Sequence, residues 1–251
     1  MSLKISIIMA TFNSEMKIES AIRSLISQSF QNWELCVQDN CSKDKTVEII
    51  RSFNDTRIDI IVERDLGIYD AINKAITRVS GDILGFLHSD DKFFSNHVLE
   101  VISKEFLHKN INGLYSDLIY VDPIKSLNVI RVWKPGIFKL KKLKYGWMPP
   151  HPTLFLTAQT QHDVGQYNIS YRVSGDYDFI LRLLSIPNIK ISYINKVTVK
   201  MSIGGASSGS MNSFITKTKE DYNIIKNYKL LGFITLILKK IIKIKQFLIR
   251  I

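Results

Sequence analysis

The sequence predicts an α/β fold, a Rossmann-like, doubly wound sheet with helices on both faces. Three observations carry that prediction. Short apolar runs alternate with amphipathic segments from Ile5 to Leu87, and this β-α-β-α rhythm puts parallel strands in one sheet covered by crossover helices. Each run ends in polar residues: Thr11 and Asn13, then Asp39, then Glu63 to Asp65, then Asp90. Parallel strands bring such ends to one edge, where open α/β sheets bind ligands. Finally, the uncharged run Ile83 to Leu87 stops abruptly at His88, Ser89, Asp90 and Asp91. Adjacent carboxylates repel and are costly to desolvate, so they need water, hydrogen bonds or a cation. Two uses fit: Ser89 and Asp90 cap a helix over Phe93 to Phe106, or Mg²⁺ or Mn²⁺ takes the carboxylate oxygens and leaves positions for a diphosphate.

Taken in order, Ile5 to Met9 reads as a buried strand, Thr11 to Asn13 as a turn, and Met16 to Ser27 as a helix with Ile18, Ala21, Ile22, Leu25 and Ile26 on one face. Trp33 to Val37 is the next strand, broken by Asp39 to Ser42 and followed by a helix over Lys45 to Phe53. Ile58 to Val62 makes a third strand, and Ile68 to Val79 a third helix with Ala71, Ile72, Ala75, Ile76 and Val79 facing inward. The fourth strand is Ile83 to Leu87. No Gly-x-Gly-x-x-Gly and no phosphate-binding loop ending in Gly-Lys-Ser/Thr follows the first strand, which removes the main support for the usual dinucleotide and triphosphate sites.

The second half is less regular. Gly113 to Val121 and Asn128 to Val132 form a strand pair, and Lys134 to Lys144 is a basic segment with a Pro-Gly turn. Pro149, Pro150 and Pro152 around His151 exclude a regular helix there. A histidine held in this way serves either as a site residue or as a group bonded in place, and Trp147 beside it either stacks on a ligand ring or packs in the core. Gly175 to Leu184 is a helix with Asp176 and Asp178 in its first turn, Asp178 being placed to pair with Arg182, and a strand follows over Ile189 to Lys200. Ser202 to Ser210 is a flexible loop by composition, with amides and hydroxyls suited to phosphate.

The 251 residues carry 34 Lys+Arg against 23 Asp+Glu, a net charge of +11 that calls for an anionic partner. From Leu230 to Ile251 bulky apolar residues alternate with Lys239, Lys240, Lys243, Lys245 and Arg250. The uncharged run there is far shorter than the roughly twenty residues of a spanning helix. The expectation is a helix in an anionic membrane interface with lysines at the headgroups; the alternative is a helix packed on its own domain. Concentration of charge in an apolar helix, without interleaved exposed aromatics, argues against nucleic acid. Cys36 and Cys41 alone make no zinc site, and no secretory signal precedes Ile5, so the expected setting is a reducing cytoplasm.

Five stretches in order, Ala10 to Asn13, Asp39 to Asp44, Asp65 to Lys74, Gly81 to Asp91 and Ser174 to Arg182, resemble the landmarks of family 2 glycosyltransferases, most of all bacterial enzymes that build O antigen, capsule or exopolysaccharide. The likeness covers Lys4 to about Ser210. It implies a GT-A fold with a single mixed sheet, divided into a nucleotide-binding half over 1–91 and an acceptor-binding half over 92–210, and leaves 211–251 as a basic amphipathic, membrane-associating helical segment. It implies inverting transfer from a UDP-sugar with Mn²⁺ or Mg²⁺, to an acceptor expected to be a lipid-linked saccharide, at the inner face of the bacterial cytoplasmic membrane. Carried across, Thr11, Asn13 and Asp39 line the uridine pocket, Asp65 lies beside it, Asp90 holds the metal with Asp91 next to it, and Asp176 is the catalytic base. His151 is placed with the substrate-binding residues. Two departures stand out: His88 takes the first position of the Asp-x-Asp motif, and Gly175 stands where a glutamate usually precedes the base. The rival readings are a non-catalytic binding module, a donor-binding but degenerate transferase, and a nucleotidyltransferase, although Met9 to Glu15 lacks the Arg, Lys and Gly of a triphosphate loop.

Overall fold

Residues 3–122, 128–203 and 211–247 are described in this computed structural model. Side-chain alternation along the first strand decides the layering. In β1 (Ile5–Thr11), Ile5, Ile7 and Met9 enter one core and Ile8 the other, as a period of two requires. Helices α1 (Ile18–Ile26), α2 (Thr46–Ser52) and α4 (Val98–His108) bury Ile18, Ile22, Ile50, Leu99 and Ile102 in the first core. On the second lie α3 (Ile68–Ile76), α5 (Ala158–Val164), α6 (Gly175–Leu184), α7 (Met211–Asn227) and α8 (Phe233–Lys245), through Ile72, Val164, Phe179, Ile224 and Leu236. Burial of both sheet faces is why the early strands read as unbroken apolar runs.

Parallel pairing aligns the ends of the first strands. β1 lies between β2 (Trp33–Asp39) and β4 (Ile83–Phe86), with β3 (Ile58–Val62) outside β2, all parallel. Thr11 is opposite Asp39, and Asp39 opposite Val62, so their following loops share one rim. Beyond β4 the sheet turns mixed: β8 (Phe155–Thr157) is antiparallel to β4 and to β6 (Gly113–Val121), β6 runs parallel to β9 (Ile191–Ser202), and β5 (Lys92–Phe93) closes the edge antiparallel to β9. With β7 (Val129–Trp133) paired to β6, the sheet has nine strands among the described residues.

Several expectations need correction. The helix expected from Phe93 begins at Val98, because Lys92 and Phe93 form β5 with Lys200 and Val199. Its N-cap is His97, so Ser89 and Asp90 do not cap it. The short β8 and α5 were not expected; α5 starts where the Thr157 hydroxyl accepts from the Thr160 amide. A 3₁₀ helix over Leu140–Tyr145 occupies the basic segment, and His151–Thr153 makes one further 3₁₀ turn. The last expected strand starts at Ile191 and runs to Ser202. The C-terminal segment is two helices broken at 228–232, and Lys239 does not reach outward. It is buried on α8, 2.8 Å from Asp221 of α7 and 3.2 Å above the Tyr177 ring. The loop at 204–210 and the end at 248–251 lie outside the described residues.

Candidate active site

The rim of β1 to β3 builds a polar corner. Thr11 is buried, and its hydroxyl has no partner among the described residues, while its carbonyl accepts from the Asn40 amide at 3.1 Å. The chain then turns through Asn13 in the left-handed region, φ 47°, and its side-chain carbonyl accepts from the Lys43 amide at 2.9 Å. Asp39 is fully enclosed; its two oxygens accept from the Ser42 amide at 2.8 Å and hydroxyl at 2.6 Å. The same Ser42 hydroxyl accepts from the Asn13 amide at 2.9 Å, so one serine ties the first two strand ends together. Asn40 reaches the third, accepting from the Asp65 amide at 2.9 Å. Asp65 in turn accepts from the Gly67 amide ahead of α3, and burial raises its carboxyl above the usual range. Cys41 also adopts the left-handed region, φ 53°, a conformation glycine takes without strain.

A second cluster stands at the end of β4, linked to the first by the 2.9 Å contact between the Ser14 and Ser89 hydroxyls. Asp90 is partly exposed, with the Lys17 ammonium at 4.0 Å, and its carbonyl accepts from the Ser202 hydroxyl at 2.9 Å. Asp91 behaves oppositely. It is fully buried, neither oxygen has a hydrogen-bond partner among the described residues, and burial with the charge of Asp90 pushes its carboxyl well above the usual range. His88 lies under the fields of both Asp90 and Asp176, yet desolvation wins and lowers its imidazole. Its ring stacks with His151 at 6.0 Å. His151 is buried, packed on Phe86 at 4.5 Å and bonded through Nε2 to the Tyr167 hydroxyl at 2.8 Å; burial holds it down to about 4, so it is neutral near pH 7.

Asp176 is half-buried in the first turn of α6, with its Oδ1 accepting from the Tyr177 amide at 2.8 Å. It follows Gly175, which packs on the Tyr69 ring; Tyr69 stacks on Tyr167, and Tyr167 is bonded to His151, so Asp176 borders that cluster and its charge acts on His88 and His151. Asp178 instead pairs with Arg182 at 3.0 Å, and Trp147 is buried, its indole N–H donating to Pro135. The structure therefore gathers Thr11, Asn13, Asp39 and Asp65 in one corner and Asp90, His151 and Asp176 in the next, while Asp91 lies beneath them in the protein interior. Sequence reasoning missed Lys17, Ser14, Tyr69 and Tyr167 at the cleft. Lys17 carried a signal, one helical start after the first strand, whereas Tyr167 sits in an irregular stretch without periodicity.

Residues 6–153 match the family model of Glycosyl transferase family 2. The chain belongs to glycosyltransferase family 2. A PGL/p-HBAD biosynthesis glycosyltransferase of Mycobacterium bovis is 30% identical to this family 2 enzyme over 207 residues, 81% of the chain and 78% of the relative. The UDP-Glc:alpha-D-GlcNAc-diphosphoundecaprenol beta-1,3-glucosyltransferase WfgD of Escherichia coli is 37% identical over 114 residues, 45% of each chain. Among solved structures, S. aureus TarS 1–349 superposes with a TM-score of 0.70 at 20% identity, covering 90% of this chain and 66% of TarS 1–349, and this likeness shows the GT-A fold.

One feature of this family 2 transferase accounts for the departure at Gly175. A Cβ at position 175 would fall 2.7 Å from the Tyr69 ring, so the glutamate expected there has no room and glycine is required. For the divalent metal of the GT-A enzymes, the donor set is sparse: among the described residues no three His, Cys, Asp or Glu side chains converge to hold an ion. Asp90 is nonetheless partly exposed at the strand end. Magnesium and manganese are commonly held by one or two carboxylates together with substrate phosphates, and the partly exposed Asp90 carboxylate fits such a donor set.

Proposed function

We propose that this glycosyltransferase moves a hexose or N-acetylhexosamine from a UDP-sugar to a hydroxyl of a lipid-linked saccharide, with inversion, in the building of a bacterial surface polysaccharide. The observation that carries the reading is a partly exposed Asp90 at a strand end and a half-buried Asp176 at a helix start, with His88 lying under the charge of both. WfgD, by its name, uses UDP-Glc and a diphosphoundecaprenol-linked acceptor, and TarS has been solved with UDP-GlcNAc. Both support this choice of donor and acceptor class.

The uridine occupies the corner of Thr11, Asn13, Asp39 and Asp65. The Thr11 hydroxyl is already desolvated and unpartnered among the described residues, and a ligand acceptor would relieve that cost. Asp39 reaches the uracil ring once the Ser42 hydroxyl rotates away from it. Asp90 would hold Mn²⁺ or Mg²⁺, and the bound ion would offset charge on the departing UDP. Lys17 stands beside it with a second positive charge. Asp176 takes the proton of the acceptor hydroxyl as its oxygen attacks the anomeric carbon from the face opposite the diphosphate; the C–O bond to UDP breaks in the same step. His151, neutral and fixed by Tyr167, forms the floor on which the acceptor sugar lies. The enzyme works as a peripheral protein on an anionic membrane, held by the outward apolar face of α8.

Calorimetric titration with UDP tests this, with and without Mn²⁺, on the wild type, Asp90→Ala and Asp176→Asn. Expected results are metal-strengthened UDP binding in the wild type, loss of that strengthening in Asp90→Ala, and unchanged binding in Asp176→Asn. Turnover of UDP-glucose, UDP-galactose and their N-acetyl forms should fall about 10²–10⁴-fold in Asp176→Asn, the usual worth of a general base. Absence of UDP binding under both conditions would remove the uridine assignment, and full turnover in Asp176→Asn would remove the base.

A further inference from the structure

Gly175 leaves Asp176 without the neighbouring glutamate, yet a glutamate does meet this turn from elsewhere in the chain. On α7, Glu220 directs its carboxylate at three consecutive main-chain amides ahead of α6. Its Oε1 accepts from Arg172 N at 2.8 Å, and its Oε2 from Val173 N at 3.0 Å and Ser174 N at 2.8 Å. These three amides form a small anion-binding concavity, and the carboxylate also lies at the positive end of the α6 dipole. From the opposite side the Tyr69 hydroxyl donates to the Val173 carbonyl at 2.8 Å, and its ring fills the space beside Gly175. The carbonyl of Ser174 then accepts from Tyr177 and Asp178, so α6 begins within this clamp. Asp176 is the second residue after the last clamped amide.

Glu220 is itself held. Its neighbour Asp221 is buried and paired with Lys239 of α8 at 2.8 Å, with the ammonium over the ring of Tyr177. That contact ties α7 to α8 one residue away from Glu220. We propose that Glu220 is a positioning residue for Asp176: by binding amides 172–174 it orients the first turn of α6 so that the carboxylate faces the acceptor. It acts through the backbone and touches no substrate. The C-terminal helices are thus part of the catalytic apparatus as well as a candidate membrane contact. The proposal rests on the reading of Asp176 as the base.

The test is a double-mutant cycle in the full chain. Glu220→Ala, Glu220→Gln, Asp176→Asn and the double variant Glu220→Ala/Asp176→Asn are compared for UDP affinity, thermal midpoint, and kcat and KM with the UDP-sugar that the wild type turns over. A base displaced by about 1 Å costs on the order of 10²-fold in rate. The expected result is therefore a kcat lower by about that factor in Glu220→Ala, a smaller loss in Glu220→Gln, which retains an acceptor oxygen, and UDP affinity unchanged in both. In the Asp176→Asn background Glu220→Ala should lower the residual rate no further, because a group acting only through the base has nothing left to position. Should the alanine variant not fold, the glutamine variant completes the same cycle. Equal losses in both backgrounds would overturn the proposal and leave Glu220 as a part of the general fold, as would an unchanged kcat in Glu220→Ala. Full activity in Asp176→Asn would instead remove the underlying base assignment, a result that the single variant reads separately.

Discussion

The imidazole of His151 shows how single side chains are tuned here. Burial moves its titration from the ordinary 6.5 to about 4. Between those values the unfolded chain binds a proton that the folded chain does not, so stability is lost as pH falls from about 6.5 towards 4, by up to about 3 kcal/mol. A thermal midpoint that falls over this range, with a flatter profile in His151→Gln, is the expected outcome; an identical slope in the variant would assign the loss to other groups. What sequence could show at this scale was residue type and spacing. It brought the ends of the first strands, Thr11 and Asp39 among them, to one rim, because parallel order and register align them. It did not show that Asp91 turns inward while Asp90 stays partly exposed, since alternation along a chain does not say which carboxylate faces the interior. Nor could it show why Gly175 replaces an acid, because the cause, the Tyr69 ring, lies more than a hundred residues earlier.

At the level of elements, the buried Asp221–Lys239 pair joins α7 to α8. Burial raises the Asp221 carboxyl, but the Lys239 and Lys217 charges more than offset this and hold it below the ordinary value. Desolvation lowers Lys239 to about 8, against the pull of Asp221. Removing one partner of such a pair strands the other, at about 3–5 kcal/mol, whereas replacing both with apolar groups is often neutral. Lys239→Met should therefore lose stability in urea unfolding, and Lys239→Met/Asp221→Leu should recover most of it; failure of the double variant to recover would show that the α7–α8 contact needs the ions themselves. Strong periodicity made most elements legible, and α6 (Gly175–Leu184) and β3 (Ile58–Val62) fall where the pattern puts them. β8 has only Phe155–Thr157 and follows a proline-rich turn, too short for any period to register. On α8 all lysines look alike in sequence, and only the tertiary contact with Asp221 separates Lys239 from the exposed Lys240.

For the whole molecule, the net charge of +11 and the unpaired apolar face of α8 belong together. Phe233, Ile234, Ile237, Ile241, Ile244 and Phe247 are all exposed, and among the described residues no helix is long and apolar enough to cross a membrane. Such a face would lie in a lipid interface with basic groups beside it. Flotation with vesicles containing phosphatidylglycerol should therefore recover the wild type, and Ile237→Glu/Ile241→Glu should weaken recovery by about tenfold or more, since two apolar contacts become two repelled charges. Equal recovery of wild type and variant would place lipid contact elsewhere. The alternating first half made the doubly wound plan visible, whereas the mixed second half, with β8 and β6 inserted between β4 and β9, depends on pairings distant in sequence. One of those distant contacts also governs how the enzyme is born. Because chains emerge from the ribosome N-terminus first, the parallel strands β1 to β4 are made before the turn at 172–174 can meet Glu220 and its helix. If the proposed roles hold, a chain ending before that helix would carry a nucleotide corner without a positioned base, and would spend no activated sugar.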